Sequence, residues 1–293
     1  MNSHPITPVF IELLIDLARR AGDEVMAIYV NKGSYQVEQK TDESPLTAAD
    51  LAAHRLISAE LPQLLPLPVI SEEGELADFA DRHLWENYWL VDPLDGTKEF
   101  IAGNGEFTVN IALIQRGRPL LGVVHVPARE LTYVGVLDAY QASSVGAFKY
   151  QQGQAPQPIK VRNLIERYQQ KLPLTVLLSH RHGTQATADL MASVTQHWPG
   201  EIEKTNAGSS LKFCLIAEGL ADFYPRLAPT SEWDTAAAQA VLEAAGGAVV
   251  RATPELSPLI YNASEEILNP HFYALGDKHF CWAELLAVAQ QPD

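Results

Sequence analysis

A rigid turn carrying two carboxylates stands at residues 92–97, in the segment Asp-Pro-Leu-Asp-Gly-Thr. The apolar run before it, residues 88–91, predicts a buried strand that aims this turn. Because proline fixes its own φ and has no N–H, the Leu94 carbonyl can point the same way as Asp92 and Asp95. Oxygen atoms of these kinds are the ligands that Mg²⁺ binds in proteins. The segment therefore predicts a site for a hard divalent cation.

Gly96 and Thr97 add donors for an anion beside this cation site. Glycine allows close approach of the backbone to a ligand, and Thr97 begins a predicted short helix at residues 97–102 whose first N–H groups are free to donate. A cation on one side and anion donors on the other suit a metal-bound phosphate. Asp-Pro and Asp-Gly pairs are also common in surface turns, so this segment alone leaves an ordinary loop open.

Three further carboxylates begin or follow predicted elements elsewhere in the chain. Asp50 and Asp234 each lie in the first turn of a predicted helix, and Glu72 follows a predicted strand at residues 69–70. Taken singly, the aspartates fit helix-capping acids, which the positive end of a helix favours, and Glu72 fits an acidic surface loop. They become candidate ligands only if the fold brings them into one pocket.

Basic residues are scarce around these acids, with one group as the exception. Ser209 and Lys212 are expected on one face of a helix at residues 209–218, and Arg226 follows a predicted strand at residues 221–224. Together they suit a second anion, which needs local cations because the chain carries a net charge of -15. The same acidic balance and the lack of a basic stripe argue against a nucleic-acid polymer as partner.

The hydrophobic periodicity predicts two halves, residues 1–155 and 156–293, divided where the composition shifts to Gln, Gly and Pro. The first half contains a long amphipathic N-terminal helix, a helix behind Asp50 and an antiparallel meander at residues 106–136. The second half alternates short strands with helices, which predicts a partly parallel sheet, and it closes with a helix at residues 280–290.

The composition bounds the class of protein and its compartment. A chain of 293 residues with 47% hydrophobic content can bury a sizeable core. Cys214 and Cys281 lie in apolar helical contexts and are expected to be buried free thiols, which fits a reducing cytoplasm. The N-terminus lacks the features of a signal peptide, and no apolar run reaches membrane-spanning length. A peripheral contact with the inner face of the membrane, and a monomer or a homodimer, stay open.

Taken together, the acidic segments form four blocks in a fixed order: Asp42-x-Ser-Pro-Leu-Thr-x-x-Asp50, Ser71-Glu72-Glu73, Trp89-x-x-Asp92-Pro-Leu-Asp95-Gly-Thr97 and Trp233-Asp234-Thr-Ala-Ala. They resemble the signature blocks of the lithium-sensitive, magnesium-dependent inositol monophosphatase superfamily. Three more segments resemble one branch of it, the CysQ-type 3'(2'),5'-bisphosphate nucleotidases: Asp95-Gly-Thr-Lys-Glu-Phe100, Gly105-Glu-Phe-Thr-Val-Asn-Ile-Ala-Leu113 and Gly208-Ser-Ser-Leu-Lys-Phe-Cys214. The resemblance spans about residues 9–273.

The resemblance implies a role for each of these residues. Two or three Mg²⁺ ions would be held by Glu72, Asp92, the Leu94 carbonyl, Asp95 and Asp234, with Asp234 also facing the substrate. Asp50 and Thr97 would position and activate the attacking water, and the N–H groups of Gly96 and Thr97 would receive the phosphate. The phosphate that is not cleaved would be held by Ser209, Lys212 and Arg226, with His182 stacking near the nucleotide.

The resemblance also implies a fold and a reaction. The fold would be a layered α-β-α-β-α sandwich of mixed α+β and α/β type, as in inositol monophosphatase and fructose bisphosphatase. The reaction would be Mg²⁺-dependent hydrolysis of the 3'-phosphate of adenosine 3',5'-bisphosphate to AMP and phosphate, a salvage step in sulfate assimilation.

Two alternatives stay open at this point. One is a phosphatase of inositol or sugar monophosphates from the same superfamily, whose substrates lack the second phosphate that Lys212 and Arg226 would bind. The other is a non-catalytic metal- or phosphate-binding protein, against which the pair Asp50 and Thr97 argues because binding alone does not need it.

Overall fold

The computed structural model describes residues 6–30, 37–39, 45–137, 145–179 and 185–286. Its α-helices are α1 (Pro8–Tyr29), α2 (Ala48–Leu64), α3 (Phe79–Arg82), α4 (Thr97–Ala102), α5 (Leu164–Gln169), α6 (Gln185–His197), α7 (Leu211–Ala217), α8 (Ala236–Ala244) and α9 (Trp282–Leu286). Its strands are β1 (Val37–Gln39), β2 (Pro45–Thr47), β3 (Val69–Ser71), β4 (Asn87–Asp95), β5 (Thr108–Gln115), β6 (Arg118–Val126), β7 (Leu131–Val136), β8 (Gly146–Gln151), β9 (Gln157–Ile159), β10 (Leu174–Leu178), β11 (Ile202–Asn206), β12 (Phe223–Arg226), β13 (Ala248–Arg251) and β14 (Phe272–Leu275). Short 3-10 helices occupy Pro127–Arg129 and Glu232–Asp234.

The first sheet has seven strands in the order β3-β4-β5-β6-β7-β8-β9. β3 and β4 are parallel, and the other neighbouring pairs are antiparallel, which confirms the predicted meander. Along β4, Trp89 and Val91 enter the core on one face of this sheet, and Tyr88 and Leu90 enter the core on the other face. A strand buried on both faces is apolar at consecutive positions, which explains the unbroken run before Asp92.

α1 and α2 pack on each other and cover one face of the first sheet. α1 begins as predicted, because Thr7 caps it through a 3.1 Å hydrogen bond from the Phe10 N–H and Pro8 occupies its first turn. α2 carries Asp50 in its first turn, near enough to Asp92 to contribute to the raised pKa of that carboxyl. None of the helices that the structure describes is both long and apolar enough to cross a membrane.

The second sheet has five strands in the order β11-β10-β12-β14-β13. β10 is parallel to β11 and to β12, while β14 is antiparallel to both of its neighbours, so the sheet is partly parallel as predicted. α7 and α8 lie between the two sheets in one continuous core, and α5, α6 and α9 cover the outer face of the second sheet. The predicted α-β-α-β-α layering is therefore confirmed.

Four details differ from the sequence-based expectations. Ser209 precedes α7 with φ +42° instead of lying on that helix, so the predicted shared helical face with Lys212 is wrong. The expected helix from residue 232 is a 3-10 turn followed by α8: a capping box at Ser231 begins the turn, and Thr235, with φ -119°, separates it from α8. Cys281 is exposed, whereas Cys214 is buried as expected. α9 begins at Trp282, later than the helix predicted at residues 280–290, whose last positions lie outside the described residues.

The predicted division at residue 155 does not coincide with a change of sheet. β9, which follows it, is the edge strand of the first sheet, and α8 packs against β5, β6 and β7 of that sheet. The two-half organisation stays a prediction.

Replacing Gly122 by alanine should destabilise the protein by about 1–3 kcal/mol or more, because the added methyl group would overpack the contact between β6 and α8. An ideal Cβ at Gly122 would lie 2.1 Å from the Ala237 carbonyl oxygen. Gly74→Ala is the matched control, since its Cβ would meet nothing closer than 3.5 Å. Urea unfolding of the three proteins checks this; equal midpoints for Gly122→Ala and the wild type would contradict the packing argument.

Candidate active site

The end of β4 delivers two aspartates into a turn, as the sequence predicts. The Oδ1 atom of Asp92 accepts a 3.0 Å hydrogen bond from the Leu94 N–H, which fixes the turn around Pro93. The pairing register between β4 and β5 shifts between Asp92 and Asp95. Asp92 is buried, with 1% of its surface exposed, and its Oδ2 atom has no hydrogen-bond partner within the described structure. A buried carboxylate oxygen in this condition requires a cation or a proton.

Asp234 reaches the same place from the other half of the chain. The capping box holds it, because its carboxylate accepts hydrogen bonds from the Ser231 N–H at 2.9 Å and from the Thr230 hydroxyl. Ser210 joins it to β4: the Ser210 N–H and hydroxyl both donate to Oδ2 of Asp95, at 2.6 and 2.8 Å, and the hydroxyl also lies against the Asp234 carbonyl. Asp234 is therefore fixed relative to Asp95 before any ligand binds.

The carboxylates of Asp92, Asp95 and Asp234 offer oxygen atoms that all lie within 4.8 Å of one another. Their mutual repulsion and their burial favour protonation. The pKa of Asp95 is raised to about 7, first by burial and then by Asp234, and that of Asp234 to about 6, first by burial and then by Glu72. The pKa of Asp92 is raised well above its ordinary value by burial and then by Glu72, Asp95, Asp234 and Asp50.

This donor set fits a hard divalent cation. Three convergent carboxylates, one of them with an unpartnered buried oxygen, match the all-oxygen coordination that Mg²⁺ prefers. Glu72 and Asp50 lie outside this group of three, yet both are near enough to raise the pKa of Asp92. The predicted ligand roles of Glu72 and of the Leu94 carbonyl stay predictions.

The turn after Asp95 has the predicted shape. Gly96 adopts φ +90°, a left-handed conformation that favours glycine, and α4 begins at Thr97. The Thr97 hydroxyl donates to the Leu94 carbonyl at 3.4 Å. The predicted pairing of Thr97 with Asp50, and phosphate binding by the N–H groups of this turn, stay predictions.

A cavity of about 130 Å³ opens beside the carboxylates and brings five predicted site residues together, namely Asp95, Ser209, Lys212, Arg226 and Asp234. Its lining also includes Lys98, Glu99 and Ser179, which the sequence reasoning did not assign. Lys98 directly follows the Asp-Gly-Thr motif, and this position next to predicted site residues could have indicated that it lines the site. His182, predicted to stack near the nucleotide, lies outside the described residues.

The two basic side chains predicted to bind the second anion, Lys212 and Arg226, both donate hydrogen bonds to backbone carbonyls. Lys212 is 5% exposed and donates to the carbonyls of Ala207 and Ser209, at 3.2 and 2.7 Å. An ammonium group has three donors, so these two contacts leave Lys212 one for a ligand. Arg226 is half-buried and donates to the Ser179 hydroxyl at 3.2 Å and to the Pro229 carbonyl at 2.7 Å.

Comparison with known proteins identifies the class to which this fold and site belong. Residues 8–287 match the family model described as the inositol monophosphatase family. The chain belongs to that family. The match extends past residue 273, where the resemblance recognised in the sequence ended.

Three similar proteins allow a finer comparison within this family. The 3'(2'),5'-bisphosphate nucleotidase CysQ of Shigella flexneri is 46% identical over 263 residues, covering 89% of this chain and 98% of that protein. The crystal structure of CysQ from Bacteroides thetaiotaomicron is similar with a TM-score of 0.74 and 38% identity, over 90% of this chain and 96% of that one. The suhB protein of Bartonella henselae has a TM-score of 0.72 over 97% and 99% of the two chains; at 22% identity it supports the fold alone.

Metal-free protein should lose stability relative to Mg²⁺-saturated protein as the pH rises from about 4 to about 7. The pKa values of Asp95 and Asp234 are raised to about 7 and about 6 in the folded state, from 3.8. The cost of ionising them is therefore absent below the unfolded value and complete above the folded values, unless a cation compensates it.

The measurement is the thermal midpoint with Mg²⁺ and with a chelator across that range, and the gap should widen with pH. Taking the difference cancels the buried His125, whose pKa is lowered to about 4 by burial and which titrates in both samples. A gap that stays constant with pH would contradict the repulsion argument.

Proposed function

We propose that the protein is a 3'(2'),5'-bisphosphate nucleotidase that hydrolyses the 3'-phosphate of adenosine 3',5'-bisphosphate to give AMP and phosphate. One observation carries the proposal: the cluster Asp92, Asp95 and Asp234 adjoins a cavity that Lys212 and Arg226 also line. A substrate with two phosphates needs a cleavage site and a second anion site at a short distance. The identity to CysQ nucleotidases over most of the chain supports this substrate class.

Asp92, Asp95 and Asp234, together with Glu72 and the Leu94 carbonyl, would hold two or three Mg²⁺ ions. Such ions supply an activated water and neutralise the charge on the leaving oxygen. The side chains fix where this chemistry takes place. Their rigidity matters because a displaced ligand would misalign water and phosphorus.

The remaining residues handle the water and the substrate. Asp50 and Thr97 orient the attacking water and take its proton, and the N–H groups of Gly96 and Thr97 bind the phosphate that is cleaved. The oxygen of the water bonds to phosphorus, the bond from phosphorus to the ribose 3'-oxygen breaks, and that oxygen leaves as a hydroxyl after gaining a proton.

The 5'-phosphate binds in the same cavity as the phosphate that is cleaved. Ser209, Lys212 and Arg226 hold it, with His182 near the nucleoside, and Lys98 adds a third positive charge to the lining. These local cations offset the net charge of -15, which would otherwise repel a doubly phosphorylated ligand. The substrate is a small molecule, and the reaction is a salvage step in sulfate assimilation. A cytoplasmic location is proposed, in accord with the unpaired Cys214 and Cys281.

The test is phosphate release from adenosine 3',5'-bisphosphate and from inositol 1-phosphate, side by side, with and without Mg²⁺ and Li⁺. The expected result is Mg²⁺-dependent, Li⁺-inhibited turnover with a clear preference for the nucleotide. A preference for inositol 1-phosphate would instead support the inositol phosphatase alternative. No turnover of any phosphate monoester would support a non-catalytic binding protein.

Lys212→Ala and Arg226→Ala should each raise KM for the nucleotide bisphosphate by about tenfold or more, because each removes a charge-assisted hydrogen bond to the second phosphate. KM for inositol 1-phosphate, which has no second phosphate, should change far less. Steady-state kinetics on both substrates measures this. Equal effects on both would argue against a second-anion site at these residues.

A further inference from the structure

The segment Gly105–Leu113 is prominent in the sequence, yet nothing in the proposed reaction uses it. Two of its side chains hold the loop at residues 207–210, which contains Ser209 and leads into Lys212. The Glu106 carboxylate accepts a 2.8 Å hydrogen bond from the buried Gly208 N–H, and the Asn110 side-chain amide donates to the Ser210 hydroxyl at 3.0 Å. This loop is therefore held from β5 and from the turn before it.

Glu106 is an unexpected residue at a site for anions, and its contacts explain why it is tolerated. One carboxylate oxygen receives the Gly208 N–H, and the other lies 3.2 Å from the Arg129 guanidinium. Its side chain is 17% exposed. Because both oxygens are engaged and the charge is paired, Glu106 does not confront the phosphate with a free negative charge.

The 207–210 loop packs closely against the side chains of Glu99 and Glu106. An ideal Cβ at Gly208 would lie 2.6 Å from Cγ of Glu99 and 3.0 Å from Cβ of Glu106. Ser209 adopts φ +42°, a conformation that costs energy for a residue other than glycine. The contacts of Gly208 and Ser210 hold the loop in this strained form, with Ser209 facing the cavity.

We propose that Glu106 is a positioning residue: through the Gly208 N–H it sets the shape of the 207–210 loop, and so it determines the preference for substrates with a second phosphate. The inference rests on the proposed function for the assignment of Ser209 and Lys212 to that phosphate. It adds a residue that the proposed reaction does not use, and its role is argued from the hydrogen bond to the Gly208 N–H.

The decisive variants differ in whether they keep an acceptor for Gly208. Glu106→Met preserves length but removes the acceptor, whereas Glu106→Gln keeps an amide oxygen for the Gly208 N–H and loses the charge and the acceptor that faces Arg129. Glu106→Ala is the second apolar variant, for the case that methionine is not accommodated. Arg129→Gln is the charge control, because it leaves the carboxylate of Glu106 in place.

Kinetics should use two substrates that differ only in the second phosphate, adenosine 3',5'-bisphosphate and adenosine 3'-monophosphate. Glu106→Met should raise KM for the bisphosphate about tenfold with kcat changed by less than about threefold, and should change kcat/KM for the monophosphate by less than about threefold. Glu106→Gln and Arg129→Gln should stay within about threefold of the wild type on both. Equal losses on both substrates, or losses in Glu106→Gln as large as in Glu106→Met, would overturn the inference.

Amide hydrogen exchange at Gly208 gives a readout that does not depend on turnover. Exchange should be about tenfold faster or more in Glu106→Met and unchanged in Glu106→Gln, while the Ser210 amide, bonded to Asp95, stays protected in both. Unchanged Gly208 exchange in the methionine variant would overturn the positioning role. If the wild-type protein were inactive but showed the expected exchange pattern, the proposed function and the role of Glu106 in substrate preference would both be overturned. Only the hydrogen bond between Glu106 and Gly208 would then be supported.

Discussion

Three carboxylates that repel one another are held within 4.8 Å, and much of the fold around them serves to keep them there. Asp92 and Asp95 lie at the end of a strand that is buried on both faces. The packing on both faces prevents the strand from bending to move these carboxylates apart. Asp234 is fixed by its own capping box, and Ser210 binds both segments. Burial, and then the neighbouring carboxylates, raise the pKa of Asp92 and Asp95, and only protons or a cation relieve the repulsion. The protein therefore holds the carboxylates in place even without a bound cation.

The cavity beside the cluster brings two kinds of charge together. The carboxylates would attract phosphate only with cations bound, whereas Lys98, Lys212 and Arg226 line the same cavity with permanent positive charge. On a chain with a net charge of -15, these are a local exception to the field of the whole protein. Under the proposed function, affinity for the second phosphate would therefore depend on these side chains and on the loop that places them.

Local sequence patterns were sufficient where neighbours in the chain decide the structure. The strand before Asp92 follows from an apolar run and a proline turn, and the layer order follows from the family resemblance. The conformation of Ser209 could not be predicted, since its neighbour Gly208 is hydrogen-bonded to Glu106, which is distant in the chain. The helix expected from residue 232 is interrupted at Thr235, whose φ of -119° the local residue types do not indicate. The exposure of Cys281 depends on how the short α9 packs, which an apolar context does not reveal.

α8 lies between the two sheets, and its backbone occupies the space where side chains at Gly122 and Gly135 would stand. It forms a wall shared by both sheets, although it comes from the second half of the chain. A fragment ending near residue 155 would leave the inner face of its sheet uncovered, and an uncovered apolar sheet face associates with other copies of itself. Chimeras that recombine this protein with a relative should therefore exchange α8 together with β5, β6 and β7.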